Sequence, residues 1–462
     1  MAEVVTGSAE YYNFGIDGKD DYLAFTAIKT VDDLKNIEKD VTGNYVIMVD
    51  ELDASGMKTL CDSDNKFDGK LAGNGCKLTL SKPLFYFNSG LVMGINAAGT
   101  IDGSSENRYG AIARENSGGT IYGCSFSGSL TALDYAGGVC GINADGGAVR
   151  NCYNTGAVTV QDEYAGGIVG LTSSSTTVSE CYNTGSVSGN RSVGGIVGES
   201  ESASKISDCL NTGRITGEND VGGIVGVAYE TTVTGVLNAG IAYAPGYYGC
   251  ISGASTSDST YNNCYFIAEL SAANYSGKGT GFSIGNIAEL NLGSAWNTGS
   301  LGTLSAADSD GFKSQPVTLP SLKKTGSAQT AVAYQFNFKE DPSGNDNWLY
   351  TTRVTNVDEL QTACATGNIA LANDIVFTDS DPAFIALGVH DVDSADNLYG
   401  YFSGNGHTIK NIKLKGNIYK NAALLAYSYG VIMDLTMDGT ITVTDAENAA
   451  AVCTYNYGTI IR

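Results

Sequence analysis

A glycine-framed pentapeptide returns four times through the middle of this chain. Gly137-Gly138-Val139-Cys140-Gly141 is followed by Gly166-Gly167-Ile168-Val169-Gly170, Gly194-Gly195-Ile196-Val197-Gly198 and Gly222-Gly223-Ile224-Val225-Gly226, with starts 29, 28 and 28 residues apart. A second signature keeps the same beat: Cys152-Tyr153-Asn154-Thr155-Gly156, Cys181-Tyr182-Asn183-Thr184-Gly185, Cys209-Leu210-Asn211-Thr212-Gly213 and Val236-Leu237-Asn238-Ala239-Gly240. Two columns locked to one period mean stacked copies of one small unit. The best copies span residues 135–253. Imperfect copies at Leu84–Tyr86, Tyr109–Ala113 and Gly249–Gly253 extend the first column, and Cys124 and Cys264 extend the second, giving roughly seven coils.

A coil of about 28 residues is too thin to hold its own core, so it must pair with the coils above and below. The best-defined copy reads as three short strands, Gly195–Gly198, Ala203–Leu210 and Arg214–Thr216, with Cys209 facing inward. Stacked in register at about 4.8 Å, such coils make a parallel β-helix, and seven of them a body on the order of 30 Å long. Composition agrees. Glycine is abundant (60) and proline scarce (6), without the strict triplet period of collagen, and 42% hydrophobic against 16% charged residues can bury a core. The fold class is therefore all-β, a parallel β-solenoid.

Residues 1–25 read as a leader or upstream segment. The first β-helix module runs over 26–320. Val31-Asp32-Asp33-Leu34-Lys35-Asn36-Ile37 predicts a short amphipathic helix with Thr30 as N-cap, and Tyr45–Val49 a strand. Helix and strand together would cover the open end of the stack. At the other end Trp296 breaks the period as a candidate plug, and Pro316 and Pro320 interrupt strand pairing. Residues 321–350 read as a linker around one strand, Ala331–Phe338. A second β-helix module occupies 351–462: Val357-Asp358-Glu359-Leu360 answers Val31-Asp32-Asp33-Leu34, and Gly404-Asn405-Gly406 answers Gly73-Asn74-Gly75. It stops one or two coils in, which points to a longer parent protein.

Few of the residues that carry chemistry stand in a pattern that chemistry would need. The histidines are His390 and His407, no H-E-x-x-H is present, and no Gly-Lys pair is followed by Ser or Thr as a phosphate-cradling loop requires. His407 follows Gly404-Asn405-Gly406 and reads as a turn-flanking residue. Of eleven cysteines, Cys124, Cys152, Cys181, Cys209 and Cys264 share one column; buried structural thiols are the favoured reading, with disulfides and metal as the alternatives. Asn154, Asn183, Asn211 and Asn238 suit a corner with left-handed backbone angles and an amide ladder along the axis. Polar residues gather before the pentapeptide: Asp134, Asp162-Glu163, Asn190-Arg191 and Glu218-Asn219-Asp220. This corner reads as a solvated edge; calcium binding and polysaccharide chemistry are the alternatives. No catalytic, cofactor or metal residue is assigned.

A net charge of -23 disfavours nucleic acid and anionic membranes. No stretch is long and apolar enough to span a bilayer, and the first residues lack a signal-peptide pattern.

The alternation of Gly-Gly-Ile-Val-Gly with Cys-Tyr-Asn-Thr-Gly resembles the GLUG-motif repeats of bacterial surface and secreted proteins, as does the lead-in of Val31–Leu34, Gly43–Tyr45 and Gly73–Gly75. The resemblance covers nearly all of 26–310 and the second module to its end. Such repeats occur in adhesin-like proteins and in accessory regions of immunoglobulin-A-specific metallopeptidases. It implies an extracellular or cell-surface scaffold, with any signal peptide or anchor outside this segment. Such a scaffold would be non-enzymatic, binding glycan or host protein or spacing a functional head. A polysaccharide-active β-helix enzyme and the accessory region of a surface metallopeptidase are the rival expectations. Tyr229, Tyr243, Tyr247 and Tyr248 are candidates for stacking on sugars.

Overall fold

The short β-branched runs of each repeat are broken by residues that turn the chain, so no run can form a self-sufficient sheet. In the computed structural model, which describes residues 5–6, 10–271, 278–326, 328–338, 346–363, 367–387, 397–417 and 419–461, these runs stack as parallel strands. About 50% of residues are strand and 5% helix, in about 14 turns of roughly 28 residues. The fold is the parallel β-solenoid that the period demands.

Each good repeat makes more strands than the three read from sequence. The coil around Cys209 contains Arg191–Gly194, Val197–Ser200, Lys205–Ser207, Leu210–Asn211 and Ile215–Thr216. The expected strand Ala203–Leu210 is split because Asp208 takes φ 50°, which turns the chain between two walls. Equivalent turns occur at Asn151, Glu180, Gly235 and Asn263. The pentapeptide itself builds a separate sheet of seven strands, the number of coils read from the repeats. Its glycines allow a second layer to come close: a Cβ on Gly194 would lie 1.9 Å from the Val197 carbonyl oxygen.

The interior is a set of like-on-like columns. Val149, Val178 and Ile206 pair in register, as do Val158, Val187 and Ile215, and all are fully or almost fully buried. Cys124, Cys152, Cys181, Cys209 and Cys264 join them inside, and Val236 fills the place of the missing thiol. These five thiols are unpaired, with Sγ turned to main-chain carbonyls: Cys152 lies 3.2 Å from Arg150 O and Cys209 3.1 Å from Ser207 O. Burial pushes the Cys152 and Cys181 thiols well up, which keeps them protonated and unreactive.

Asn154, Asn183, Asn211 and Asn238 form the amide ladder, with Nδ2 of each donating to Oδ1 of the next at 2.8, 2.9 and 2.9 Å. Their backbones are not left-handed, contrary to expectation. Each Oδ1 accepts the N–H of the glycine two residues on, which holds the asparagine in a strand with its side chain inward. Phe126 and Phe266 occupy the same register position below and above the asparagines. A second buried ladder, Asn88 to Asn116 to Asn143, runs along the pentapeptide sheet at 2.6 and 2.8 Å.

At the lower end the helix Val31–Lys35 lies between strands Thr26–Ile28 and Asn44–Ile47, which pair in parallel. Thr30 caps it in a reciprocal box with Asp33, and Leu34 is fully buried against the first coils. In the second module Asn356 caps Val357–Gln361 in the same place.

Two accessory pieces clothe the outside. Glu10–Asn13 and Tyr22–Ala24 pair antiparallel, and Tyr12 and Phe14 pack on Val46 and Ala72 of the outer wall. Residues 284–322 lie along the flank formed by Tyr153, Tyr182, Leu210 and Leu237. Trp296 belongs to this flank cluster and does not plug the end of the stack: the outward Tyr/Leu column is an apolar stripe that a large side chain covers sideways. Lys324 fastens the two pieces together, with Nζ 3.1 Å from Asp17 and 2.9 Å from Glu180.

Strands Phe312–Thr318, Thr330–Asn337 and Trp348–Val354 form an antiparallel meander between the modules; contrary to expectation Pro316 does not interrupt pairing but stands opposite Val332 inside it, and the segment after it holds more than one strand. One part, Val317 and Ala333, packs on the first solenoid's flank cluster; the other, Phe312, Phe336 and Phe338, packs on Ala370, Ala372 and Met433 of the second. The second solenoid starts beside the first, with Arg214 Nη2 2.6 Å from Asp358 Oδ1. No helix among the described residues is long and apolar enough to cross a membrane.

Candidate binding face

On the pentapeptide side Arg108 is exposed, Glu115, Tyr135, Tyr164, Leu171 and Glu199 are half-buried, and Ser192, Asp220, Ile142 and Val227 are buried. Two residue columns run next to each other along the axis there. One occupies the corner before the pentapeptide: Arg108, Tyr135, Tyr164, Ser192 and Asp220, all with φ between 51° and 67°. The other is the position after its last glycine: Glu115, Ile142, Leu171, Glu199 and Val227, held in register by the sheet. The columns touch, since Arg108 Nη1 lies 3.1 Å from Glu115 Oε2 and Ser192 Oγ 3.1 Å from Glu199 Oε2. The left-handed corner lifts the first column so that its side chains reach over the second.

Chemistry varies along this face. In the middle, Tyr135 and Tyr164 stack at 4.6 Å beside the aliphatic Ile142 and Leu171. Above them Arg191 bridges Glu163 and Asp220 at 3.2 and 3.3 Å. Asp134 accepts the backbone N–H groups of Tyr135 and Glu163 at 3.0 and 3.2 Å. Burial nevertheless pushes the Asp134 carboxyl up to about 6 and that of Glu199 up to about 7, the nearby carboxylates adding to the shift. The face therefore offers phenol hydroxyls, a guanidinium, protonatable carboxyls and an aliphatic floor within a few coils.

The polar corner expected from sequence is thus organised around Arg191, and its carboxylates meet a guanidinium and backbone donors. Among the described residues no group of three or more His, Cys, Asp or Glu side chains is placed to hold a metal ion. Of the four candidate tyrosines, Tyr229 and Tyr247 are exposed, at 42% and 46%. Tyr248 is buried in the core, and Tyr243, half-buried, leans on it at 5.6 Å between ring centroids. His407 lies 3.7 Å from Asp374 at the strand start after Gly404–Gly406; His390 lies outside the described residues. Sequence reading missed Tyr135, Tyr164, Ile142, Leu171 and Glu199. The available signal was their constant offset from the pentapeptide, which marks a column.

Compared with known families, residues 134–160 match the GLUG motif. A comparison with curated proteins gives no match. Two solved structures are similar in part. One, described as a "putative immunoglobulin A1 protease" from Bacteroides ovatus, has 17% identity and a TM-score of 0.40, over 68% of this chain and 95% of that one. The other, an IgA1 protease, has 18% identity and a TM-score of 0.40, and the match covers 56% of this chain and 24% of that one.

Proposed function

We propose that this chain, which carries the GLUG motif on a parallel β-solenoid, is a non-enzymatic scaffold of an extracellular bacterial protein that binds through its pentapeptide-side face. One observation carries the reading. Positions that repeat from coil to coil point inward, as with Cys152, Cys181 and Cys209 or Asn154, Asn183 and Asn211. The two columns on the pentapeptide side vary more, from Arg108 through Tyr135 and Tyr164 to Ser192 and Asp220 in one and from Glu115 through Ile142 and Leu171 to Glu199 and Val227 in the other. A frame that is constant inside and variable along one face is suited to displaying a recognition surface. Hydroxylated rings, an arginine and aliphatic side chains in one strip suit a glycan or a protein surface.

A second reading has its own observation. Glu199 holds a proton near neutrality in the neighbourhood of the arginine-bridged Asp220, a division of roles that an acid–base pair on a glycosidic bond would use. One experiment separates the two. The purified chain is screened against glycans and host-surface proteins for binding, and against polysaccharides for release of reducing ends. The scaffold reading expects saturable binding without release, lost in a Tyr135→Ser, Tyr164→Ser, Leu171→Asp variant. Release of reducing ends that Glu199→Gln abolishes would overturn it in favour of the enzyme.

A further inference from the structure

The two solenoids enclose a cleft of about 400 Å3, the scale of a small-ligand site at a module boundary. Its apolar walls come from both sides: Tyr243 and Pro245 from the first solenoid, Pro382 and Ile385 from the second. The second wall is held rigid by the buried Gln361, whose Nε2 donates to Ile385 O and whose Oε1 accepts Ile385 N–H, each at 2.9 Å.

The charges around this cleft are unequal in their commitments. Asp358 is matched by Arg214 at 2.6 Å, and Asp381 accepts the Thr378 N–H and hydroxyl at 2.7 and 2.6 Å. Glu218 on the first solenoid and Lys415 on the second line the same cleft, are exposed, and enter no ion pair among the described residues. An apolar space with one uncommitted carboxylate and one uncommitted ammonium is complementary to a zwitterion with an apolar body.

We propose that this cleft binds an apolar amino acid or dipeptide, its ammonium toward Glu218, its carboxylate toward Lys415 and its side chains against Tyr243, Pro245, Pro382 and Ile385. Because Glu218 and Lys415 belong to different solenoids, the bound ligand bridges the two.

Titration calorimetry of the whole chain with leucyl-leucine tests the assignment. Saturable binding is expected. It weakens roughly tenfold or more for the N-acetyl form and for the C-terminal amide, since each cap removes one charge-assisted contact. Seryl-serine, which keeps both charges and lacks the apolar body, is expected to be similarly weak. Glu218→Gln should bring leucyl-leucine down to the level of its N-acetyl form while leaving that form unchanged; Lys415→Met should do the same with respect to the amide. Equal affinity for capped and free dipeptides, or no saturable binding, overturns the proposal. The capped ligands decide on the unaltered chain even where a variant folds poorly.

Discussion

At the scale of single residues, the asparagine ladder and Glu199 behave in opposite ways. Asn183 accepts from Asn154 Nδ2 at 2.8 Å and from Gly185 N–H at 3.2 Å, and its Nδ2 donates to Asn211 Oδ1 and Gly185 O, both at 2.9 Å. Replacing it with alanine strands several buried polar groups at once, so Asn183→Ala should cost about 3 kcal/mol in urea unfolding. Exposed Asn65→Ala should cost less than about 0.5 kcal/mol. Glu199 is destabilising when ionised. Its carboxyl is pushed up to about 7 by burial, so the folded chain keeps a proton that the unfolded chain releases in the ordinary carboxylate range. Folded protein then binds more protons between that range and about pH 7, and stability falls as pH rises through the window. Glu199→Gln should remove that slope: little change at about pH 4, and a gain of about 1–2 kcal/mol at about pH 8 after discounting for solvent screening. Unfolding curves at both pH values check the sign. The asparagine column was legible because identical residues recur at a fixed period. Its backbone conformation was not, because asparagine satisfies a left-handed corner and an inward-bonded strand equally well, and the choice depends on where the glycine N–H two residues on is directed.

Among elements, the close layer at the pentapeptide sets the tolerance to substitution. A Cβ on Gly194 would sit 1.9 Å from Val197 O, and on Gly222 1.9 Å from Val225 O, contacts with backbone that cannot yield. Gly146 is the contrast, at φ +78° with nothing within 4 Å of an added Cβ. Gly194→Ala should therefore cost more than about 3 kcal/mol and broaden the unfolding transition, whereas Gly146→Ala should cost about 1 kcal/mol, the price of the left-handed backbone alone. Thermal unfolding of the two variants against the parent chain distinguishes them. The strands themselves follow from the short β-branched runs, and the capping helices from Thr30 and Asn356 placed before Val-Asp-(Asp/Glu)-Leu. What the repeat period does not encode is which outward face another segment will cover. Tyr153, Tyr182 and Leu210 look like surface residues within one coil; Tyr182 and Leu210 are buried and Tyr153 half-buried because residues 284–322, remote in sequence, lie on them. The candidate binding face was hidden for a related reason, since Arg108 meets Glu115, and Ser192 meets Glu199, across corners whose left-handed backbone the repeat period does not announce.

The whole molecule is two solenoids joined through the meander, whose strand Trp348–Val354 pairs in parallel with Ile369–Leu371 of the second, with an aromatic bracket beside that pairing and an exposed ion pair across the boundary. The bracket is Phe312, Phe336 and Phe338 against Ala370, Ala372 and Met433. Phe338→Ala should loosen the packing of the meander on the second solenoid: faster hydrogen exchange at Ile369–Leu371, with protection across residues 120–240 unchanged and the radius of gyration in solution scattering unchanged, since the strand pairing of Trp348–Val354 keeps the join. Loss of a buried phenylalanine is worth about 3–5 kcal/mol. Arg214→Ala, which removes the exposed pair with Asp358, should change attachment by less than about 1 kcal/mol. One further property follows from the polar column bounded by Phe126 and Phe266. Every Asn–Asn junction within it is equivalent and every donor points the same way, so the column carries no record of how many members it has. Excising residues 182–209 would join Cys181 to Leu210 and let Asn154 meet Asn211 as it now meets Asn183. Gain or loss of whole coils by recombination is therefore nearly silent to the interior, and lineages of this chain can vary in length while the phenylalanines mark where the variable run starts and stops.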